Sequence, residues 1–155
     1  CPALRRPDML TTFDQIEVGA KFVSVGRNIA EADIVNFAGV TGDFNALHMD
    51  DQWVRENTDY PGRIAHGLLV HAAAEGLRCA ALDKWKILAF LETQRRMLVP
   101  VMPGDRIQQN YTVTSKKPSS KDPSRGVVEL QVEIINQRGE IVQAGYNRYL
   151  IGGDI

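Results

Sequence analysis

A carboxylic acid, an amide and an imidazole lie close together in the chain, at Asp43, Asn45 and His48. Carboxylate and imidazole groups are common general acids and bases, because they can accept and return protons near neutral pH. In a continuous helix, steps of about 100° per residue would place Asp43 and His48 about 140° apart, on different faces. They converge only if the chain bends, and the Gly42-Asp-Phe-Asn45 composition favours a bend. The spacing therefore permits an acid–base pair without requiring one.

The same residues also have a structural interpretation, in which Asp43 and Asn45 cap a turn and His48 is a hydrogen-bonded, partly buried side chain. A second segment favours chemistry, because it places His66-Gly67 at the start of a predicted helix. The free N–H groups and positive dipole end of a first helical turn suit an oxygen that gains negative charge. Gly67 lacks a side chain, so a ligand can approach its N–H closely. Close packing of the helix on a strand is the alternative reason for this glycine.

Helical patterns occupy the first half of the chain. Apolar residues recur near the helical period between Asn28 and Gly42, with acidic residues at the start, which predicts an amphipathic helix. A short helix is predicted over Asp51–Glu56. From His66 to Leu82 nearly every residue is small or apolar, and a helix that is apolar on nearly all faces is expected to be enclosed by other elements.

The second half is typical of an antiparallel sheet. Ser115–Arg125 has the composition of a solvated loop, and Met102–Asp105 and Asn136–Gly139 have that of turns. An enclosed helix followed by strands predicts one α+β domain over residues 1–155, with an antiparallel sheet wrapped around a central helix. The strand candidates are Ile87–Phe90, Arg95–Val101, Arg106–Ser115, Gly126–Ile135 and Ile141–Leu150.

Composition argues against several classes of function. A net charge of −1 gives no electrostatic reason to expect binding to nucleic acid or to an anionic membrane. No apolar run approaches the about 18–20 residues that span a bilayer. Cys1 and Cys79 can form one disulfide at most, Cys79 is expected as a small core residue, and neither a metal site nor a cofactor is expected. The N-terminus does not resemble a signal peptide, so a reducing, cytoplasmic location is predicted.

Four segments resemble the MaoC-like dehydratases, a family that includes the (R)-specific enoyl-CoA hydratases. Phe37–His48 matches the hydratase motif of that family, and the match is fairly specific when Ile64-Ala-His-Gly67 follows. The other two segments are Leu98–Asp105 and Asn136–Gln143. Together with the order of elements between them, the likeness covers nearly the whole chain.

The resemblance implies a hot-dog fold around the His66–Leu82 helix, and a homodimer whose acyl tunnel lies between protomers. It implies a hydro-lyase that reversibly adds water across the 2,3 double bond of an enoyl-CoA to give a 3-hydroxyacyl-CoA, with an acyl-carrier thioester as the other possible substrate. Asp43 and His48 would be the catalytic pair. Asn45 would support their geometry, and the Gly67 amide would bind the thioester oxygen.

The chain departs from the family pattern at two positions. Ala46 stands where proline is usual, and Glu75 stands where many hydratases have a small or hydroxyl residue, which disfavours a long apolar acyl chain. Two other functions stay open: a thioesterase that uses Glu75, and a non-catalytic subunit that only binds acyl chains. His66 is expected to be structural, with its ring pointing away from the ligand of Gly67. Arg95 is expected either at coenzyme A phosphates or on a solvated face.

Overall fold

The computed structural model describes residues 9–154, so Cys1 and its neighbours lie outside the described residues. The described part contains strands β1 (Lys21–Val23), β2 (Arg27–Asn28), β3 (Ile87–Met97), β4 (Arg106–Pro118), β5 (Gly126–Asn136) and β6 (Ile141–Ile151). They form an antiparallel sheet in the order β1-β4-β5-β6-β3, with β2 also paired to β4. Strand β3 is therefore an edge strand.

The helices are α1 (Glu31–Thr41), α2 (Ala46–Met49), α3 (Asp51–Asn57) and α4 (Gly67–Glu75), with short 3-10 turns at Phe13–Gln15 and Leu82–Lys84. Helix α4 buries an apolar face against the inner side of the sheet. This contact surface belongs to one core cluster, which includes Leu69, Val70, Ala74, Ile107, Ile134 and Val142. An antiparallel sheet that packs around a central helix is the expected hot-dog arrangement. In the described part of the chain, no helix is long and apolar enough to cross a membrane.

The central helix is shorter and less enclosed than expected. It ends at Glu75 rather than Leu82, because Gly76 follows and the carbonyl of Arg78 accepts a hydrogen bond from the Val25 N–H outside the helix. One edge of α4 is open, with Leu68 64% exposed. Other described elements therefore cover only part of this apolar helix.

The two strand candidates Ile87–Phe90 and Arg95–Val101 were wrong as separate strands. One continuous strand, β3, spans the polar stretch between them and ends at Met97. Two side chains from that stretch have polar partners: the exposed Thr93 donates to the buried Asn147, and Arg95, whose side chain is buried, donates to Glu75. The polar stretch is therefore part of an exposed edge strand with two polar contacts to neighbouring elements, and not a loop.

The loop expected over Ser115–Arg125 is shorter than predicted. Strand β4 continues to Pro118, which pairs with Gly126, so only the segment between them turns. Lys116 belongs to the strand, where it pairs with Val128. Its amino group donates to the Ile16 carbonyl and lies over the Phe13 ring. The turn at Asn136–Gly139 and the buried state of Cys79 were both predicted correctly.

Candidate active site

The chain bends between the acid and the imidazole. Gly42 ends α1 with φ of 79°, a left-handed conformation that glycine adopts without steric cost. Asn45 then caps α2, since its Oδ1 accepts a hydrogen bond from the Leu47 N–H at 2.9 Å. The Asn45 N–H itself donates to Asp43 Oδ1 at 3.3 Å. Asn45 thus holds both the start of α2 and the position of the Asp43 carboxylate.

Asp43 and His48 face each other across a gap. Asp43 Oδ2 and His48 Nε2 are 3.8 Å apart, too far for a direct hydrogen bond but suitable for groups that share a water molecule. The carboxylate is half exposed, whereas the imidazole is buried. His48 Nδ1 lies 2.7 Å from the Ile64 carbonyl oxygen, which can only accept a hydrogen bond. Nδ1 therefore carries a proton, and in the neutral ring the Nε2 lone pair faces Asp43.

His66 lies inside this site, contrary to the expectation that its ring points away. Its ring stacks on the His48 ring with centroids 3.8 Å apart, and Phe37 packs on it with centroids 5.0 Å apart. His66 Nε2 donates to the Asp43 backbone carbonyl at 2.9 Å. Because the ring touches both members of the pair, it fixes the position of His48 and the backbone conformation of Asp43.

The catalytic candidates line one cavity of about 150 Å³, here called the dyad cavity. Its lining residues are Phe37, Thr41, Asp43, His48, His66, Gly67 and Leu68. No acceptor among the described residues takes a hydrogen bond from the Gly67 N–H, so this donor is free for a ligand. A Cβ at Gly67 would lie 2.9 Å from Met97 Cγ and Cε, so the predicted close packing on a strand also occurs here.

The ligand atoms of Asp43, His48 and His66 lie within 4.8 Å of one another, which raises the question of a metal site. The two imidazole rings are stacked at an interplanar angle of 28°, so their in-plane lone pairs do not converge on one point. His66 Nε2 is also engaged by the Asp43 carbonyl. The geometry suits a water held by Asp43 and His48 better than a tetrahedral metal ion.

A second cavity of about 160 Å³ shares Gly67 with the dyad cavity. We call it the Gln143 cavity, because Gln143 is its polar residue with a free hydrogen-bonding atom. Gln143 is 2% exposed, its Nε2 donates to the Gly67 carbonyl at 2.8 Å, and its Oε1 has no hydrogen-bond partner among the described residues. The other lining residues are Tyr60, Ile64, Ala65, Gly67, Val70, Met97, Leu98, Val99, Pro100 and Val101.

Glu75 is the centre of a buried polar layer beneath the end of α4. Its Oε1 accepts hydrogen bonds from Arg95 at 2.5 Å and from Asn147 at 2.8 Å, with Gln109 at 3.3 Å. Its Oε2 accepts from Tyr149 at 3.3 Å. The Arg95 side chain is fully buried, so neither expectation for Arg95, coenzyme A phosphates or a solvated face, is correct.

Two phenols complete this polar layer. Burial raises the pKa of Tyr111 to about 12, and burial also raises the pKa of Tyr149, so both hydroxyls stay neutral. The layer divides the apolar core into two clusters, one near the dyad cavity and one beyond the end of α4. The sequence contained a signal for it: Gln109 and Asn147 occupy inward positions in strands whose other inward residues are mostly apolar or aromatic.

The amino-acid sequence is similar to one protein-family model and to several characterised proteins. The family model described as "MaoC like domain" matches residues 14–136. Protein MaoC of Klebsiella aerogenes is 36% identical over 104 residues, which cover 67% of this chain but 31% of that protein. The chain thus spans about a third of the length of that relative. The (R)-specific enoyl-CoA hydratase of Rhodospirillum rubrum is 28% identical over 113 residues, covering 73% of this chain and 76% of the hydratase.

Solved structures show the same fold. An Archaeoglobus protein described as a monoamine oxidase regulatory protein superposes with a TM-score of 0.85 and 32% identity, covering 94% of this chain and 97% of its own. A Mycobacterium tuberculosis protein with a double hot-dog fold has a TM-score of 0.79 at 20% identity, covering 94% of this chain and 45% of its own. The hot-dog expectation is therefore confirmed.

Proposed function

Because the chain belongs to the MaoC-like domain family, we propose that it is a hydratase/dehydratase that reversibly adds water to the 2,3 double bond of an enoyl thioester. The observation that carries this proposal is the dyad cavity, which brings a carboxylate, an imidazole and a free backbone N–H together. These are the groups that water addition next to a thioester carbonyl requires: a base, an acid and an oxyanion donor.

In the proposed hydration, a water molecule lies between Asp43 and His48. Its oxygen bonds to C3, Asp43 takes the proton that the water loses, and the electron pair of the double bond moves toward the carbonyl. The Gly67 N–H stabilises the resulting enolate oxygen. His48, which starts this direction protonated at both nitrogens, then delivers its Nε2 proton to C2, which completes the 3-hydroxyacyl thioester. The proton held by Asp43 passes to His48 Nε2 before the next turnover, so both groups return to their starting states. In dehydration the neutral His48 ring, whose Nε2 lone pair faces the cavity, removes the C2 proton.

Substrate length is the first property to test. Glu75 lies about 12 Å along the helix axis from Gly67, so an acyl chain that follows α4 from the dyad cavity meets the polar layer. A methylene gains about 0.8 kcal/mol from burial against apolar atoms and loses that gain against a buried ion pair. We expect kcat/KM for decenoyl-CoA to be at least about tenfold below that for crotonyl-CoA or hexenoyl-CoA. Equal or rising kcat/KM toward decenoyl-CoA in a hydration assay would contradict this reading.

The second property to test is the oligomeric state, which we propose is a homodimer. Among the described strands, none pairs with the outer edge of β3. Exposed apolar side chains cluster on this strand and just after it: Ile87, Leu88, Phe90, Leu91, Met97 and Leu98. Leu68 at the dyad cavity is also open, so a second copy would complete the wall of the site.

Light scattering after size exclusion tests the dimer. The wild type is expected to have twice the chain mass, and Leu91→Lys is expected to be monomeric with reduced hydration, because a charge would be buried in the interface. Val25→Lys, at an exposed apolar residue outside β3, is the control and should stay dimeric. A monomeric wild type that is fully active, or a dimeric Leu91→Lys protein, would contradict the proposal.

The thioesterase alternative depends on a free Glu75 carboxylate. Four side chains donate to that carboxylate, and one of them is the fully buried Arg95 guanidinium. A carboxylate so engaged is not free to attack a thioester or a water, since that would require breaking the ion pair. The geometry thus favours hydration at Asp43 and His48. The other alternative, a non-catalytic acyl-binding subunit, would bind acyl-CoA without hydrating it.

The cytoplasmic location stays a prediction.

A further inference from the structure

We propose that the Gln143 cavity binds the pantetheine arm of the thioester, and that Gln143 Oε1 accepts a hydrogen bond from the first amide N–H of that arm. This inference rests on the proposed function, because it needs the thioester carbonyl at the Gly67 N–H. It adds a binding site and a residue to that function. The ligand class is a pantetheine thioester, whether the carrier is coenzyme A or an acyl-carrier protein.

The orientation of the Gln143 amide is fixed by its partner. The Gly67 carbonyl can only accept, so the atom that contacts it at 2.8 Å must be the Gln143 amino group. The carbonyl oxygen of the same amide therefore points elsewhere and has no partner among residues 9–154. A buried acceptor without a donor is unfavourable, and such groups in native proteins commonly meet a ligand or a water. Gln143 lines the cavity, so its side chain places one unfilled, buried acceptor at the cavity wall.

The position of this cavity follows from the chemistry of a thioester. The carbonyl carbon has two substituents, the acyl chain and the sulfur. Carbons C2 and C3 must lie in the dyad cavity, where Asp43 and His48 act on them. The sulfur, which stays bonded to the carbonyl carbon, must then lie on another side of the carbonyl. The Gln143 cavity is the neighbouring space available to it, because Gly67 lines both cavities.

The lining of the cavity suits that arm. Two methylene groups separate the sulfur from the first amide of pantetheine, so an apolar surface is needed first and a single acceptor next. Val70, Met97 and Val99 supply apolar lining, and Gln143 supplies the acceptor. Gln143 would also join the two halves of the substrate site, since its amino group holds the Gly67 carbonyl while its oxygen holds the thiol arm.

Two thioesters of crotonate test the contact in the purified full chain. One carries N-acetylcysteamine, which keeps the first amide of pantetheine. The other is nearly the same in shape but has an ester oxygen in place of that N–H. We expect wild-type kcat/KM to be about 10-fold to 100-fold higher for the amide, because only its N–H satisfies the buried acceptor. A wild-type ratio near one would overturn the proposal, and this arm needs no variant to fold.

Two variants test whether the preference for the amide thioester depends on Gln143. In Gln143→Met the ratio between the two thioesters should fall to near one, even if overall turnover also falls through a changed Gly67. In Gln131→Met, at an exposed glutamine of β5, the ratio should equal that of the wild type. A purely structural role for Gln143 would lower both rates together and leave the ratio unchanged, which would overturn the proposal.

Three other outcomes of these assays would also contradict either the Gln143 contact or the proposed function. If crotonyl-CoA is hydrated but neither short thioester is, the first amide is not the main contact and the inference is wrong. If a second copy of the chain fills the cavity, the two thioesters react equally in the wild type. If crotonyl-CoA itself is not hydrated, the proposed function fails, and this failure is distinct from that of the Gln143 contact.

Discussion

Asp43→Asn is expected to lower kcat for crotonyl-CoA hydration by about 100-fold to 10,000-fold, the range for removing a general acid or base. The physical reason is that an amide cannot take a proton from the water between position 43 and His48. The fold should be unaffected, because Asp43 Oδ1 only accepts a hydrogen bond from the Asn45 N–H and an asparagine oxygen can do the same. Steady-state kinetics and thermal unfolding of the same preparation measure the two effects.

Asp14→Asn is the matched control for Asp43→Asn. Asp14 is an exposed carboxylate in the Phe13–Gln15 turn, which contributes no residue to the dyad cavity. Its loss should leave kcat and the unfolding midpoint at the wild-type values. Wild-type turnover in Asp43→Asn would remove Asp43 from the mechanism, and an equal loss in both variants would point to net charge instead of a specific base.

Glu75→Gln is expected to lower the free energy of unfolding by about 3–5 kcal/mol, because it removes the counter-charge of the buried Arg95. The remaining donors around position 75 cannot replace that charge, since Gln109, Asn147 and Tyr149 are neutral. Urea denaturation at one fixed protein concentration measures the loss, and the fixed concentration keeps any dimerisation constant.

Asp83→Asn is a matched control, since Asp83 pairs with Arg78, whose side chain is 80% exposed. That exposed pair should contribute little to the free energy of unfolding, because water and salt screen it. Adding Arg95→Met to Glu75→Gln should recover much of the lost stability, because no unpaired charge then stays buried. Equal small losses in Glu75→Gln and Asp83→Asn would mean that the Glu75–Arg95 pair is solvated.

The sequence predicted the fold correctly in those strands whose alternation of apolar and polar residues follows their alternation of buried and exposed positions. Period-2 alternation in β5 and glycine-containing turns define the sheet, since inward residues must be apolar and tight turns need particular backbone angles. The extent of β3 could not be predicted this way, because its inward residues Thr93 and Arg95 are polar. Polar residues predict a loop unless their partners on other elements, here Asn147 on β6 and Glu75 on α4, are known.

The candidate site was partly predictable for a similar reason. Asp43 and His48 are chemically distinctive, and the composition around Gly42 favours a bend, so the spacing permitted a pair and the family resemblance implied one. His66 could not be placed, because its stacking on His48 depends on how α4 packs against α2. Gln143 lies far along the chain from Gly67, and only strand register brings the two together.

We propose that the chain adds water to C3 of an enoyl thioester. The direct measurement is mass spectrometry of the products after the purified protein is incubated with crotonyl-CoA in water labelled with heavy oxygen. Hydration at Asp43 and His48 predicts intact 3-hydroxybutyryl-CoA that carries the label in its hydroxyl group. Label in the carboxylate of free crotonate, released together with coenzyme A, would contradict the account and favour a thioesterase. Unlabelled, unchanged crotonyl-CoA would contradict it and favour a non-catalytic acyl-binding subunit.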